Sequence, residues 1–537
     1  MPTPPQTSET RRGLARLSTN YARLALTLAF GLVQLPILYS GLGKHAFGVW
    51  MLLISTGGIA GLLREVVMRG LNRELGESYH SPDPDAFRKT FRAAYLICAV
   101  LTGVAALVFA AMIAVVPVFN IPDTLVGPAR WALLGRGLFT CVILLLTPTT
   151  NMLLVSERMT LHNAWISLER FVPFSVTILL FPILGVQDPG RGLTLFGVWS
   201  GIGMGAVGML AAGAMVALDP RTRPTLGRAS AAPLRAILRT AGWNTGVIVA
   251  LNLHLRTAQI IINFPFGTTG NAVYGIATQL TSYARMATVG MTDGLDAVAA
   301  RISTKESTLD RLRRVSAAST RLHALVALPA ALGVAVLVEP MLRVWVANRF
   351  EDPATELPLT VLTIRILAIG MAARSVSDGW IRLLYGAGYV ARYAPLILVG
   401  GIANPALAVA IILLARADVL PGGIGFYGPA IAFSTIFVAV HVVLLARIAA
   451  RCLEEPAAQT IAPIVRPLFI TLLASPMLWL PGWLGLSNDW LRILGAIVGY
   501  GCVYAPLAWL VVLSSDERSR IAGKVLRRGP TPEPTES

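Results

Sequence analysis

The chain has 537 residues, 55% of them apolar and only 14% charged, against about 25% charged in ordinary soluble proteins. So little charge cannot cover a water-facing surface, which excludes a soluble enzyme, a disordered protein and a disulfide scaffold and leaves a polytopic membrane protein. The net charge of +17 then reads as arginine-rich cytoplasmic loops rather than as a nucleic-acid footprint, and no nucleic-acid partner is expected.

A hydrocarbon core about 30 Å thick asks for about 20 apolar residues per helix. That ruler predicts fourteen spans: 18–41, 45–63, 93–117, 131–152, 165–185, 193–218, 242–264, 272–296, 322–346, 359–385, 393–415, 423–446, 461–481 and 490–513. The fifth, eighth and tenth are the least apolar. With the N-terminus inside, the inner segments carry 29 Lys and Arg, while the outer loops carry five: Lys44, Arg130, Arg191, Arg349 and Arg416. This asymmetry places both termini in the cytoplasm, and one missing helix would invert it downstream. The run after Arg11-Arg12 is long and lacks a small-residue cleavage site, so the first helix is expected to be retained. The longer inner connectors, 64–92 and 301–321, read as amphipathic segments on the anionic inner leaflet, and the tail 529–537 as disordered. Cys98, Cys141, Cys452 and Cys502 have no metal-type pairing.

Two stretches match at an offset of 227 residues, Gly43-Lys44-His45-Ala46-Phe47-Gly48 and Gly270-Asn271-Ala272-Val273-Tyr274-Gly275. Each reads Gly-x-x-x-aromatic-Gly between two spans, and transporters are often built from repeats. The parse is a cytoplasmic segment 1–17, a six-helix lobe 18–218, a linker 219–241, a second six-helix lobe 242–447, two further helices within 448–513, and a basic tail 514–537. The fold class is all-α, polytopic, with two pseudo-symmetric lobes.

Leu42-Gly43-Lys44-His45-Ala46-Phe47-Gly48-Val49-Trp50, followed by a helix ending Gly61-Leu62-Leu63, resembles the opening of bacterial polysaccharide flippases. These share a superfamily with multidrug-and-toxin-extrusion exporters and the lipid II flippase. Ser156-Glu157-Arg158-Met159, Gly242-Trp243 and Glu339-Pro340-Met341-Leu342-Arg343-Val344-Trp345 agree with it. The chain departs from the family at Arg64-Glu65-Val66, where an Asp-Leu-Gly-like run is common. The resemblance implies a V-shaped exporter of the inner membrane, working by alternating access on an undecaprenyl-diphosphate-linked oligosaccharide. Membrane lipids and other polysaccharide-assembly membrane proteins are the further partners it implies.

Charges within spans cost about 2.5–3.5 kcal/mol on insertion scales, so each is a site hypothesis. Arg23, Arg136, Arg343 and Arg365 lie within about two turns of a helix end, where side chains reach the interface. Arg23 and Arg136 are kept as candidate substrate contacts beside that snorkelling role. Arg256, Arg285 and Arg374 lie deeper and are expected to form one cationic cavity, because guanidinium forks pair bidentately with phosphate. His254, near Arg256, is expected either to contact sugar hydroxyls or to hydrogen-bond between helices. Asp378 follows Arg374 by one turn and either neutralises it or binds a coupling Na⁺ or H⁺. No resident cofactor, metal site or catalytic group is expected. Gly203-Met204-Gly205-Ala206-Val207-Gly208 matches a dinucleotide fingerprint by letter only and reads as helix packing.

Two rival functions stay open. A cation-coupled small-molecule exporter on the same fold would want an acidic lining. A membrane-embedded glycosyltransferase or polymerase usually needs a sizeable outer loop, and the outer loops here are short. The topology has a direct check: reporters fused at Ser230 and Ser316 should read cytoplasmic and one at Asp352 external. Reversal at any one site would overturn the helix count there.

Overall fold

The computed structural model describes residues 6–224, 230–292, 295–302, 308–515 and 517–519. The expected disordered tail 529–537 and the centre of the linker, 225–229, lie outside the described residues. The described residues are almost entirely helical. In chain order they form α1 (Gln6–Tyr79), α2 (Pro84–Val115), α3 (Asp123–Val155), α4 (Met159–Ile178), α5 (Pro189–Leu218), α6 (Ala231–Thr292), α7 (Leu295–Ile302) and α8 (Thr308–Trp345). Then come α9 (Pro353–Gly386), α10 (Val390–Arg416), α11 (Ile424–Ile436), α12 (Leu445–Leu453), α13 (Ala457–Ala474), α14 (Pro476–Trp483) and α15 (Asp489–Leu507). A π-helical stretch, Phe437–Leu444, joins α11 to α12.

Several starts follow one local rule. Asp83-Pro84, Asp188-Pro189 and Asp352-Pro353 each put an aspartate at the N-cap and a proline in the first turn. The carboxylate accepts the backbone N–H of Asp85, Arg191 or Thr355, and proline occupies a position whose N–H has no helical acceptor. Asp219 does the same for Arg221, whose hydrogen bonds hold its carboxyl below the usual range. It also accepts from Tyr79 Oη at 3.0 Å, tying the end of α1 to the α5–α6 connection.

Twelve stretches of helix among the described residues are long and apolar enough to cross a membrane. Two of them reverse direction. At about 1.5 Å per residue, α1 drawn straight would exceed a bilayer several times over. It turns instead at Gly43 (φ 69°, ψ 167°), and α6 turns at Gly267 (φ 58°, ψ −153°). The α6 reversal is fixed by Asn271, which donates to the Gln259 carbonyl at 2.6 Å although twelve residues separate them. In α1 the rings of Tyr39 and Phe47 meet across the turn, 5.1 Å apart. Counting both arms of each hairpin gives the fourteen expected spans. A further break at Gly242 falls where the seventh span is expected to begin.

The structure shifts the repeat. Gly270 sits within a helical arm, and the reversing residue is Gly267, 224 rather than 227 residues after Gly43. The same offset relates Met51 to Gly275, and these two touch: a Cβ on Gly275 would collide with the Met51 side chain. The letters matched at an offset of 227 therefore miss the corresponding turns, which the two positive-φ glycines place 224 residues apart.

The first connector also differs from expectation. Helix α1 continues without a break through Arg64 to Tyr79, because Leu62 to Leu75 contains no proline and only one glycine. Arg64 is therefore a helical residue. The Gly203–Gly208 run packs as read: a Cβ on Gly203 would overlap Val172 of α4, and one on Gly208 would overlap Ile143 of α3.

The two halves share one core and keep others apart. Leu38, Leu42, Phe47, Leu125, Phe196, Ile262, Val273, Val346, Phe350 and Phe433 form a core at the end of the molecule carrying Gly43 and Gly267. Phe91, Tyr95, Ile143 and Trp165 build a second core in the first half, and Trp380, Tyr393, Ile397 and Leu445 a third in the second half. Polar bonds reinforce the shared end. Glu356, only 2% exposed, accepts from Tyr39 Oη at 2.6 Å and from the Asp352 N–H at 3.1 Å, and meets Lys44 Nζ at 3.4 Å. His45 Nδ1 meets Thr268 Oγ1 at 2.7 Å, the Asn120 N–H donates to Asn263 at 2.9 Å, and Trp345 Nε1 donates to the Leu32 carbonyl at 2.6 Å. Large apolar side chains such as Leu107 and Leu210 point outward, as lipid contact requires.

Gly267 combines positive φ with extended ψ, a region nearly closed to other residues. Gly267→Ala should cost about 1–3 kcal/mol. The melting temperature in detergent would record it, and an unchanged melt would mean that the turn tolerates a side chain.

Candidate functional site

The site begins with two residues that have no side chain. Gly57 and Gly58 lie on the second arm of α1 and leave room for arginines from two other helices. A Cβ on Gly58 would overlap the Arg256 guanidinium from α6, and one on Gly57 would lie 3.2 Å from Arg136 Cγ of α3. Arg256 Nε donates to Asn252 Oδ1 at 2.8 Å, one turn earlier. Asn252 in turn donates to Glu65 Oε2 of α1 at 3.3 Å, so a polar chain crosses from one half of the molecule to the other.

More guanidiniums gather around this pair. Arg136 lies over the Phe139 ring at 5.5 Å, within electrostatic reach of Arg170, Arg256 and Glu169. Arg64 lies over the Trp165 ring at 5.6 Å, near Glu169 and Glu65. Arg23 and Arg64 both stand close to His162 of α4. Tyr283, from the second arm of α6, reaches toward Arg170 and fits over Gly31. Five arginines thus converge between α1, α3, α4 and α6 with two carboxylates among them, an interior suited to anions.

A second group lies within the second half. Arg285 of α6 pairs with Asp378 of α9, both partly buried. Arg374, one turn before Asp378 and 8% exposed, sits over the Phe437 ring at 5.8 Å. Phe437 stacks on His441 at 4.3 Å and packs against His254 at 4.7 Å, all three being buried. Ser377 Oγ lies 3.2 Å from His441 Nδ1, and Asn404 donates to the His254 carbonyl at 3.1 Å. Phe437 and His441 belong to the π-helical stretch, a geometry frequent at functional sites.

The residues singled out in the sequence therefore divide. Arg23, Arg136 and Arg256 stand in the interhelical arginine group; Arg285, Arg374, His254 and Asp378 stand in the other. His254 and Arg256 are two residues apart on α6, about 200° around the helix, so they face opposite sides. Asp378 pairs across helices with Arg285 as well as lying beside Arg374 on its own.

Arg64, Glu65, Glu169 and Arg170 escaped sequence reasoning. Arg64 and Glu65 follow the last apolar residue of the second span and read as connector. Glu169-Arg170 interrupts the fifth span, one of the least apolar, and that interruption was the available signal, together with the adjacent Gly57-Gly58 pair.

The class is an all-helical fold with, among the described residues, twelve stretches long and apolar enough to cross a membrane, in which Arg136 and Arg256 meet the second arm of α1 at Gly57 and Gly58. No protein-family model and no curated protein matches the sequence. Among solved structures, the chain is similar to the lipid II flippase MurJ in an inward closed conformation, with a TM-score of 0.68 at 11% identity, over 96% of this chain and 100% of that one. It is also similar to an inward-facing MATE-family multidrug resistance transporter, with a TM-score of 0.63 at 15% identity, over 80% of this chain and 98% of that one. A third, a Pyrococcus furiosus transporter of the MOP superfamily described as having a binding pocket of reverse polarity, aligns with a TM-score of 0.50 at 14% identity, over 83% and 96%. The chain has the fold these transporters share.

The Arg285–Asp378 pair has a measurable signature. Removing one partner of a buried pair strands the other charge and costs about 3–5 kcal/mol, whereas apolar replacement of both is often neutral. Asp378→Leu should therefore lower the melting temperature in detergent more than Arg285→Met combined with Asp378→Leu. Equal losses would show that the pair is not coupled.

Proposed function

We propose that this protein carries an undecaprenyl-diphosphate-linked oligosaccharide from the inner to the outer leaflet of the bacterial inner membrane by alternating access. The observation that carries the proposal is the convergence of Arg23, Arg64, Arg136 and Arg170 of the first half with Arg256 of the second, where Glu65 and Glu169 are the nearby carboxylates among the described residues. A diphosphate entering a low-dielectric interior needs guanidinium forks, which pair bidentately with its oxygens. The lipid II flippase fold supports a lipid-linked cargo. On this reading the Gly43–Gly267 end faces outward and both termini lie in the cytoplasm, an orientation that the 29-to-five loop asymmetry supports.

The MATE-like fold supports the rival equally, a cation-coupled exporter of small molecules. The lining charge favours the anionic cargo, because a cationic drug would meet repulsion from five arginines. Asp378 remains the candidate for Na⁺ or H⁺ coupling, but its pairing with Arg285 supports a neutralising role. Transport rather than catalysis is the activity proposed.

Arg64→Ala and Arg256→Ala should each cut glycan export about tenfold or more while leaving the protein in the membrane. Lipid-linked glycan should build up on the inner leaflet, as an assay of leaflet accessibility would report. Arg256→Lys should restore export only partly, since lysine lacks the fork. Unchanged export together with altered drug sensitivity would sink the proposal in favour of the rival.

A further inference from the structure

A second cationic recess lies away from the interhelical arginines, where α14 and α15 meet α8 and α9. It encloses about 270 Å³. Arg343 of α8, Arg365 of α9 and Arg492 of α15 line it, together with Glu339 and Asp489. Each carboxylate is engaged on its own helix: Glu339 with Arg343 at 2.6 Å, and Asp489 with Arg492 at 3.8 Å. Arg365, itself exposed, stands at its edge. Its Nε donates to the Ala335 carbonyl of α8 at 3.1 Å, and among the described residues it has no carboxylate partner. That leaves the terminal amino groups of Arg365 for a ligand and gives the recess one positive charge in excess.

The level of the recess in the membrane follows from its neighbours. Arg343 stands in the last turn of α8, and Asp489 and Arg492 in the first turn of α15. Trp479 lines the recess, and Trp479, Trp483 and Trp490 all point outward, the belt that marks a membrane–water interface. The rest of the wall is apolar: Val336, Leu337 and Leu478. Gly482 brings the α14 backbone close, since a Cβ there would lie 3.1 Å from Arg492 Nη2. A cationic edge, an apolar wall and a tryptophan rim suit a molecule with an anionic phosphate head and an acyl body.

We propose that this recess binds the anionic phosphate headgroup of a lipid at the membrane interface, where α14 and α15 pack against α8. The headgroup chemistry is shared by a resident anionic phospholipid and by a polyprenyl diphosphate, and the experiment separates the two. The proposal stands on the geometry of the recess and does not depend on the cargo.

The test is native mass spectrometry of the delipidated full-length protein, titrated in parallel with phosphatidylglycerol, phosphatidylcholine and a polyprenyl diphosphate. Adducts of phosphatidylglycerol should exceed those of phosphatidylcholine. Arg365→Gln combined with Arg492→Gln should weaken the anionic adducts about tenfold. Arg365→Lys should keep most of the binding, and it guards against a double variant that fails to fold. Arg416→Gln, in the last turn of α10 and outside the recess, should change nothing at the phosphatidylglycerol site. Loss of the polyprenyl diphosphate adduct alone would assign the recess to that lipid, with the headgroup chemistry intact. Undiminished anionic adducts in a folded double variant, or phosphatidylcholine binding as well as phosphatidylglycerol, would overturn the proposal.

Discussion

A guanidinium facing hydrocarbon has nothing to pair with, and this chain carries many at helix depth. The packing of the two halves answers that constraint. Arg256 and Arg136 are turned inward over Gly57 and Gly58, where the absence of Cβ atoms makes room that no larger residue could leave. Arg64 and Arg136 lie over aromatic faces, which offer a cation a partner without adding a negative charge. Arg285 instead takes a carboxylate. The two solutions have different chemical consequences: an arginine over a ring still has donors for an anion, whereas one bound to aspartate has spent them within the protein.

That distinction separates two groups which the sequence places side by side. Depth within a span was legible, because the positions of Arg256, Arg285 and Arg374 can be counted from the ends of apolar runs. Facing was not. His254 and Arg256 belong to one polar cluster by letter, yet helical rotation sends the histidine toward Phe437 and His441 and the arginine toward α1.

The fold was more legible than the site for a physical reason. Membrane spans announce themselves through length and apolarity, and loop charge fixes their parity. The hairpins at Gly43 and Gly267 were also foreseeable, since a glycine between two apolar runs marks a reversal, though the register of the second needed its backbone angles. Arg64 was lost because hydropathy ends a span where charge begins, while backbone hydrogen bonding carries α1 on to Tyr79. A hydropathy boundary describes solvent, and a helix boundary describes the main chain.

The shared core at the Gly43–Gly267 end has a mechanical consequence. It joins the halves by apolar packing, by the buried Glu356 clasp and by the bonds of His45, Asn120 and Trp345, while the far ends keep separate cores. Under the alternating access proposed above, such a body would work as a pair of tongs with its pivot at one end. The arm of α1 from Gly43 to Tyr79 is roughly 54 Å long at 1.5 Å per residue. A rotation of about 10° at the pivot would therefore sweep its tip by roughly 9 Å. Such a sweep demands only small adjustments among the side chains packed at the fulcrum. Leverage of this kind would let a stiff, close-packed hinge govern a wide opening at the far end, its width set by contacts made at the opposite end of the molecule.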